Sequence, residues 1–263
     1  MMLQDKVAVI YGAAGAIGGA VARAFASEGA NLFLTGRDLA PVEVVAKDIV
    51  SAGGSADAAE VDALDERAVD EHLGSVMDKA GRIDISFNAV GIPDAKILGA
   101  PLVELDVDRF SLPIAAYTRS YFLTARLAAR RMLTKKSGVI MTVTALLSRT
   151  GTPLVGGYGP AMAAKEALTR SLSAELAPQG IRAVGLRPQA MPETDTIRAA
   201  FEPRATASGM TWDQWQEALA SRTHSRRLMT LEEMANVAAF VASDKASGMM
   251  GTIVNLTMGT LDD

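Results

Sequence analysis

The chain reads as a doubly wound α/β domain built on a mainly parallel sheet. Seven short apolar runs alternate with longer stretches of helical periodicity, the pattern of successive βαβ units. Those runs are apolar throughout rather than at every second residue, which suits strands covered by helices on both faces. A glycine-rich turn follows the first run and opens directly into a helix. With 263 residues, 49% of them hydrophobic and 21% charged, one sizeable domain spanning 1–263 can bury its own core.

The strands are expected at KVAVIY (6–11), ANLFLT (30–35), ADAAEV (56–61), IDISFN (83–88), GVIMTVT (138–144), IRAVGL (181–186) and GTIVNL (251–256). No repeat, low-complexity tract or Pro/Gly-rich linker divides the chain. The rhythm breaks only at 190–229, where helical patterns carrying Phe201, Trp212 and Trp215 intervene. An insertion after a strand's C-terminal end is where a substrate lid belongs. Thr211 with Gln214, and Thr230 with Glu233, have the capping-box spacing that starts helices. Arg130, Arg131, Lys135 and Lys136 cluster where a helix should end, placing cations against the negative end of its dipole.

Net charge of −4 and a pI near 5.3 leave no electrostatic footprint for nucleic acid or an anionic membrane. Without cysteine, disulfides, thiolate chemistry and Cys-ligated zinc are excluded. The N-terminus lacks the pattern of a signal peptide, and no apolar run reaches the roughly 18 residues of a membrane span. A cytoplasmic protein is expected. His72 and His224 are isolated from other metal-ligand types and are expected in surface or capping roles.

After the first strand comes Gly12-Ala-Ala-Gly15-Ala-Ile17-Gly18. Such a turn lets backbone approach a pyrophosphate closely and aims helix-terminal N–H groups at its charge. The second strand ends at Gly36, where an NAD-preferring fold usually places a carboxylate, and Arg37 follows. A guanidinium there suits a 2′-phosphate, so NADP(H) is favoured, with a solvated loop charge as the alternative.

GAAGAIGGAVARAFASEGA, VDALD, FNAVGI, FLTARLAARRM, GVIMTVT, YGPAMAAKEALTRSLSAELAPQGIR and ASGMMGTIVNL together resemble the short-chain dehydrogenase/reductase family along nearly the whole chain. The resemblance implies a single Rossmann-type domain with sheet order 3-2-1-4-5-6-7, a bound nicotinamide cofactor, a small-molecule substrate and a homotetramer or homodimer. By motif position it assigns cofactor contacts to Gly12, Gly15, Ile17, Gly18, Arg37, Asp62, Asn88 and Gly91. In the LRPQAMPETDT loop it adds Pro188, Met191 and Thr194, with Gln189 in place of the family's glycine.

The catalytic set departs from the pattern. Tyr158 stands where the family's acid–base tyrosine belongs, but Met162 holds the position four residues on that usually carries lysine, and Lys165 comes at seven. Ala145 occupies the serine position, with Thr144 beside it and Ser148 close by, and Tyr117 occupies that of the helix asparagine. A free phenol has a pKa of about 10, so a nearby ammonium is what makes it useful near neutral pH. On a helix, steps of four and seven both return to within roughly 40° of one face, but the second lies about 4.5 Å farther along the axis. Lys165 is therefore either a displaced partner of Tyr158 or a solvated helix residue paired with neighbouring charges. Tyr117 is either packing or a replacement hydroxyl facing substrate. A Tyr-x6-Lys spacing also occurs in the family's enoyl-reductase branch, which points to a conjugated C=C. The expected function is hydride transfer to or from a small carbonyl, alcohol or enone, with Tyr158 and Lys165 assisted by Tyr117, Thr144 or Ser148. The alternative is a dinucleotide-binding scaffold, sensor or non-redox catalyst.

Overall fold

A computed structural model describes residues 1–92, 98–193, 198–199, 201–202, 205–206 and 209–262. Seven strands, β1 (Val7–Tyr11), β2 (Asn31–Gly36), β3 (Ser55–Glu60), β4 (Ile85–Asn88), β5 (Gly138–Val143), β6 (Ile181–Pro188) and β7 (Ile253–Leu256), form one parallel sheet. Its order is β3-β2-β1-β4-β5-β6-β7, as the resemblance implies. The expected strands coincide with the observed ones to within a residue or two at most ends.

Side-chain alternation along β1 sorts the core into two layers. Ala8 and Ile10 join Val21 and Phe25 of α1 (Ala16–Ser27), Val42 and Ile49 of α2 (Leu39–Ser51), and Met234 and Ala238 of the last helix (Leu231–Ala242). Val7, Val9 and Tyr11 face the other way, into Val69 and Leu73 of α3 (Glu66–Ala80), Tyr121 and Ala128 of α4 (Val107–Met132), and Leu168 and Leu172 of α5 (Tyr158–Leu176). Central strands covered on both faces therefore read as unbroken apolar runs. The edge strands depart from that reading: Ser55, Asp57 and Glu60 of β3 are exposed and most of β7 is half-buried, because an edge has fewer neighbours to cover it.

Local chemistry sets the helix ends. The Asp65 carboxylate accepts from the Arg67 and Ala68 N–H groups to start α3, and Gly81 ends it in the left-handed region at φ 70°. Both expected capping boxes form, Thr211 with Gln214 at α6 (Trp212–Ala220) and Thr230 with Glu233 at α7 (Leu231–Ala242). Arg130 and Arg131 fall in the last turn of α4. Phe201 packs its ring 6.3 Å from that of Trp215. Among the described residues no helix is long and apolar enough to cross a membrane.

The sheet register brings the site together. Tyr11 pairs with Thr35 on one side and Asn88 on the other, and Asn88 with Thr142. The C-terminal ends of β1, β4 and β5 thus lie side by side where the strand order reverses, the place where such sheets bind ligands.

Candidate active site

The glycine turn is built for close approach. Gly12 and Ala13 donate their N–H groups to the Thr35 carbonyl at 3.0 and 2.9 Å. Gly12 has φ +77°, and a Cβ there would stand 2.7 Å from the Ala89 carbonyl oxygen. A Cβ on Gly18 would stand 2.2 Å from the Gly12 oxygen, so only glycine lets α1 pack on the turn. Gly15 is the N-cap of α1 and supplies no side-chain cap, and the first turn of α1 carries no acidic residue. Its orphan N–H groups are left for an anion. Ile17 is half-buried against the core behind the turn.

At the end of β4, Asn88 is buried and donates through Nδ2 to Thr124 Oγ1 at 3.2 Å, while its buried Oδ1 has no partner among the described residues. Gly91, three residues on, is exposed. Asp62 is exposed just beyond β3 and accepts from the Leu64 N–H. Arg37 is exposed beyond β2 and pairs with no carboxylate among the described residues. The turn, the uncapped helix and the orphaned Asn88 oxygen fit a dinucleotide lying across this edge.

Tyr158 is the first residue of α5, half-buried, with the Gly157 N-cap pressed against α4: a Cβ on Gly157 would stand 2.0 Å from the Phe110 carbonyl oxygen. The Tyr158 ring meets Tyr117 edge-on, with centroids 5.6 Å apart and planes at 74°. Tyr117 is 6% exposed, and its hydroxyl oxygen accepts from the Ile92 N–H at 3.4 Å. Around the pair pack Met162, Ala161, Ala145, Ile114, Ile92 and Leu98. The residues at the family's lysine, serine and asparagine positions, Met162, Ala145 and Tyr117, thus converge on Tyr158 as an apolar cluster.

Lys165 is not the solvated helix residue that one reading expected. It is 1% exposed, donates to the Val143 carbonyl at 2.8 Å, and places its ammonium 5.6 Å from the Tyr117 ring centroid and 5.7 Å from that of Tyr121. Burial pulls its pKa down to about 7.

Thr144 and Ser148 are committed elsewhere. Both hydroxyls donate to Glu166 Oε1, at 3.1 and 2.5 Å. Each has a single proton to give, so toward a substrate these oxygens are left only to accept. Glu166 also takes two bonds of 2.8 Å from the Nε and Nη2 of Arg187, and the pair is nearly inaccessible to water. Burial pushes the Glu166 carboxyl up, but the bonds from Arg187, Ser148 and Thr144 outweigh it and leave the group below its ordinary pKa. Sequence reasoning missed both residues. An acid beside Lys165 in α5 and an arginine between the IRAVGL run and Pro188 were the available signals.

The loop after β6 starts in the core. Pro188 ends the strand and is buried, and Met191 lies in the core at 2% exposure. Gln189 bonds Thr260 Oγ1 at 2.9 Å, tying the loop to the C-terminal segment. Thr194 lies outside the described residues. His224 is exposed as expected, but His72 is half-buried inside α3, where burial holds its pKa down at about 4 and its Nδ1 has no partner among the described residues.

A family model described as enoyl-(acyl carrier protein) reductase matches residues 12–260. An uncharacterized oxidoreductase of Bacillus subtilis is 31% identical, covering 98% of this chain and 92% of its own. The peroxisomal 2,4-dienoyl-CoA reductase of Rattus norvegicus is 30% identical over 98% of this chain and 85% of its own. The crystal structure of an NAD+-bound xylitol dehydrogenase superposes with a TM-score of 0.91 at 26% identity, covering 98% of this chain and all of that one. With its motifs, its sheet order and these likenesses in agreement, the chain belongs to the short-chain dehydrogenase/reductase family of oxidoreductases.

Proposed function

We propose that the protein transfers hydride between NADP(H) and a small, partly apolar carbonyl, alcohol or activated double bond, with Tyr158 moving the proton. The observation that carries this reading is the Tyr158 phenol at the mouth of α5, held edge-on by Tyr117 in an apolar cluster beside the dinucleotide-shaped edge of the sheet. Bound nicotinamide dinucleotide supplies the hydride or accepts it. Gly12, Gly15, Ile17 and Gly18 cradle its pyrophosphate against the start of α1, and Asp62, Asn88 and Gly91 line its path toward the cluster. Pro188 and Met191, at and after the end of β6, are assigned to its nicotinamide end, and the resemblance adds Thr194. Arg37 supports the choice of NADP(H), as a guanidinium suited to a 2′-phosphate.

Tyr158 gives its proton to the developing alkoxide, or takes one in oxidation. The Tyr117 hydroxyl, whose oxygen accepts from the Ile92 N–H, stands in the same cluster as Tyr158 and is assigned the role of assisting at the substrate oxygen in place of the missing asparagine and serine. Thr144 and Ser148 can assist only as acceptors. Lys165, bonded to Val143, gives no support to the C=C variant through its spacing, and the enoyl-reductase description and the dienoyl-CoA relative keep that variant in the substrate class. The lining by Met162, Ile114 and Ile92 supports a substrate with an apolar body. The helical segment within 190–229 is read as a lid over it. Exposed Val103, Val107, Leu112 and Phe122 in and before α4 support self-association as a dimer or tetramer. The family membership favours an oxidoreductase over the non-redox alternative.

The test is a panel of ketones, alcohols and enones followed by NADPH absorbance, with Tyr158→Phe alongside. Turnover on at least one compound that collapses in the variant is the expected result. No turnover above the variant on any of them overturns the reading.

A further inference from the structure

We propose that Lys165 is a positioning residue for Tyr158: as an ammonium it clamps the Tyr117 ring, that ring holds the Tyr158 phenol edge-on, and loss of the Lys165 proton slackens the clamp. The proposal rests on the reading of Tyr158 as the proton-transfer group, and its test is independent of turnover.

The contacts run in one chain. Lys165 is anchored at the Val143 carbonyl, 2.8 Å away, and its ammonium lies over two rings one helical turn apart on α4. Both distances fall inside the roughly 6 Å reach of a cation–π contact. Tyr121 is immobilised, its hydroxyl 3.0 Å from Thr169 Oγ1, which in turn donates to the Lys165 carbonyl at 2.9 Å. Tyr117 is the other jaw, and its ring meets that of Tyr158 with centroids 5.6 Å apart. The usual lysine position is filled by Met162, which is 2% exposed and offers no charge. The Lys165 ammonium reaches the Tyr117 ring with a charge, and it does so one turn deeper than the family pattern places it.

The clamp is set to respond near neutrality. Lys165 meets Tyr117 and Tyr121 of α4 and the Val143 carbonyl at the end of β5, and its neighbour in α5, Glu166, takes bonds from Arg187 of β6, from Thr144 and from Ser148 of the short turn Leu146–Ser148. Glu166 and Arg187 are spent on each other. Among the described residues no carboxylate offsets the cost of burial, and the ammonium gives up its proton at about pH 7. An uncharged amine keeps its bond to Val143 but loses the attraction to the ring faces.

Near-UV circular dichroism of the tyrosine region, followed from pH 5.5 to 9, reads the Tyr117–Tyr158 coupling directly. The wild-type protein should show a step with its midpoint near 7 that is lost in both Lys165→Met and Tyr117→Leu. Lys165→Arg, whose guanidinium stays charged, should hold the acid-side signal across the whole range. NMR titration of lysine labelled at Cε in the wild-type protein should give one resonance with the same midpoint, absent in Lys165→Met. A step that survives in Lys165→Met, a wild-type signal without a step, or a Lys165 resonance titrating near 10 overturns the clamp. None of these outcomes bears on whether Tyr158 supports hydride transfer, which the substrate panel decides separately.

Discussion

The Arg187 guanidinium meets the Glu166 carboxylate through two bonds of 2.8 Å in a space nearly closed to water, joining β6 to α5, the helix that Tyr158 begins. A buried ion pair contributes little net stability over an apolar replacement, but removing one partner strands the other. Glu166→Ala and Arg187→Met should each cost about 3–5 kcal/mol by urea denaturation, and the double variant Glu166→Leu/Arg187→Met should recover most of that. Additive losses in the double variant would show that the two side chains are not coupled. Since the native state holds the Glu166 carboxyl below its ordinary pKa, this stabilisation is present above the unfolded-state value and is lost as pH falls through the folded one.

Lys165 reverses that sign. Its pKa is about 7 in the folded chain against the ordinary 10.5, so between those values the unfolded state holds a proton that the native state has released. Stability gains from rising pH through that window, and the cost of burying the charge is felt in full below pH 7. Lys165→Met should therefore be more stable than wild type at pH 6.5, by up to about 5 kcal/mol at 1.36 kcal/mol per tenfold in proton affinity, with the gap closing toward pH 10. Parallel denaturation curves at pH 6.5, 8 and 9.5 check this; a gap that is constant or widens upward contradicts it.

Most of the frame was legible in the sequence because the signals are local or periodic. Unbroken apolar runs marked the covered strands, and Thr211/Gln214 and Thr230/Glu233 announced two helix starts that the structure reproduces as capping boxes. Within the candidate site, the local geometry was legible where a motif implies a backbone demand: the turn leaves no room for a Cβ at Gly12 or Gly18, and Tyr158 stands at a helix start. What failed to show was pairing across distance: nothing local says that Arg187 finds Glu166, or that Thr144 and Ser148 spend their protons there. Lys165 was placed on the correct helix face, but helical geometry cannot say whether a long side chain ends on a phenol, a ribose or a backbone carbonyl.

Removing the proposed proton donor should cost more than removing its neighbour. Tyr158→Phe should lower kcat by about 10²–10⁴-fold, the usual worth of positioned acid–base catalysis. Tyr117→Phe keeps the ring and loses one hydroxyl, so a loss on the order of tenfold is expected, matching the roughly 1.4 kcal/mol of a single modest hydrogen bond. Steady-state kinetics on whichever panel compound turns over decides between them, and a larger loss in Tyr117→Phe would reverse the roles.

Arg37 should carry coenzyme choice. Arg37→Ala should weaken NADPH by about 10- to 100-fold, as expected for a bond of about 1.5–3 kcal/mol to a charged group, and leave NADH unchanged. Fluorescence titration of both reduced coenzymes measures it. Equal weakening of the two would mean that Arg37 does not read the 2′ position.

The most direct test is calorimetric titration of NADPH and NADH into the wild-type protein and Gly18→Val, whose side chain would run into the Gly12 carbonyl beneath the turn. Saturable one-to-one binding by wild type, tighter for NADPH, with at least about a 100-fold loss in a folded Gly18→Val, is what a dinucleotide cradled by this turn requires. Absence of binding to wild type by either coenzyme, or undiminished binding by the variant, would contradict it.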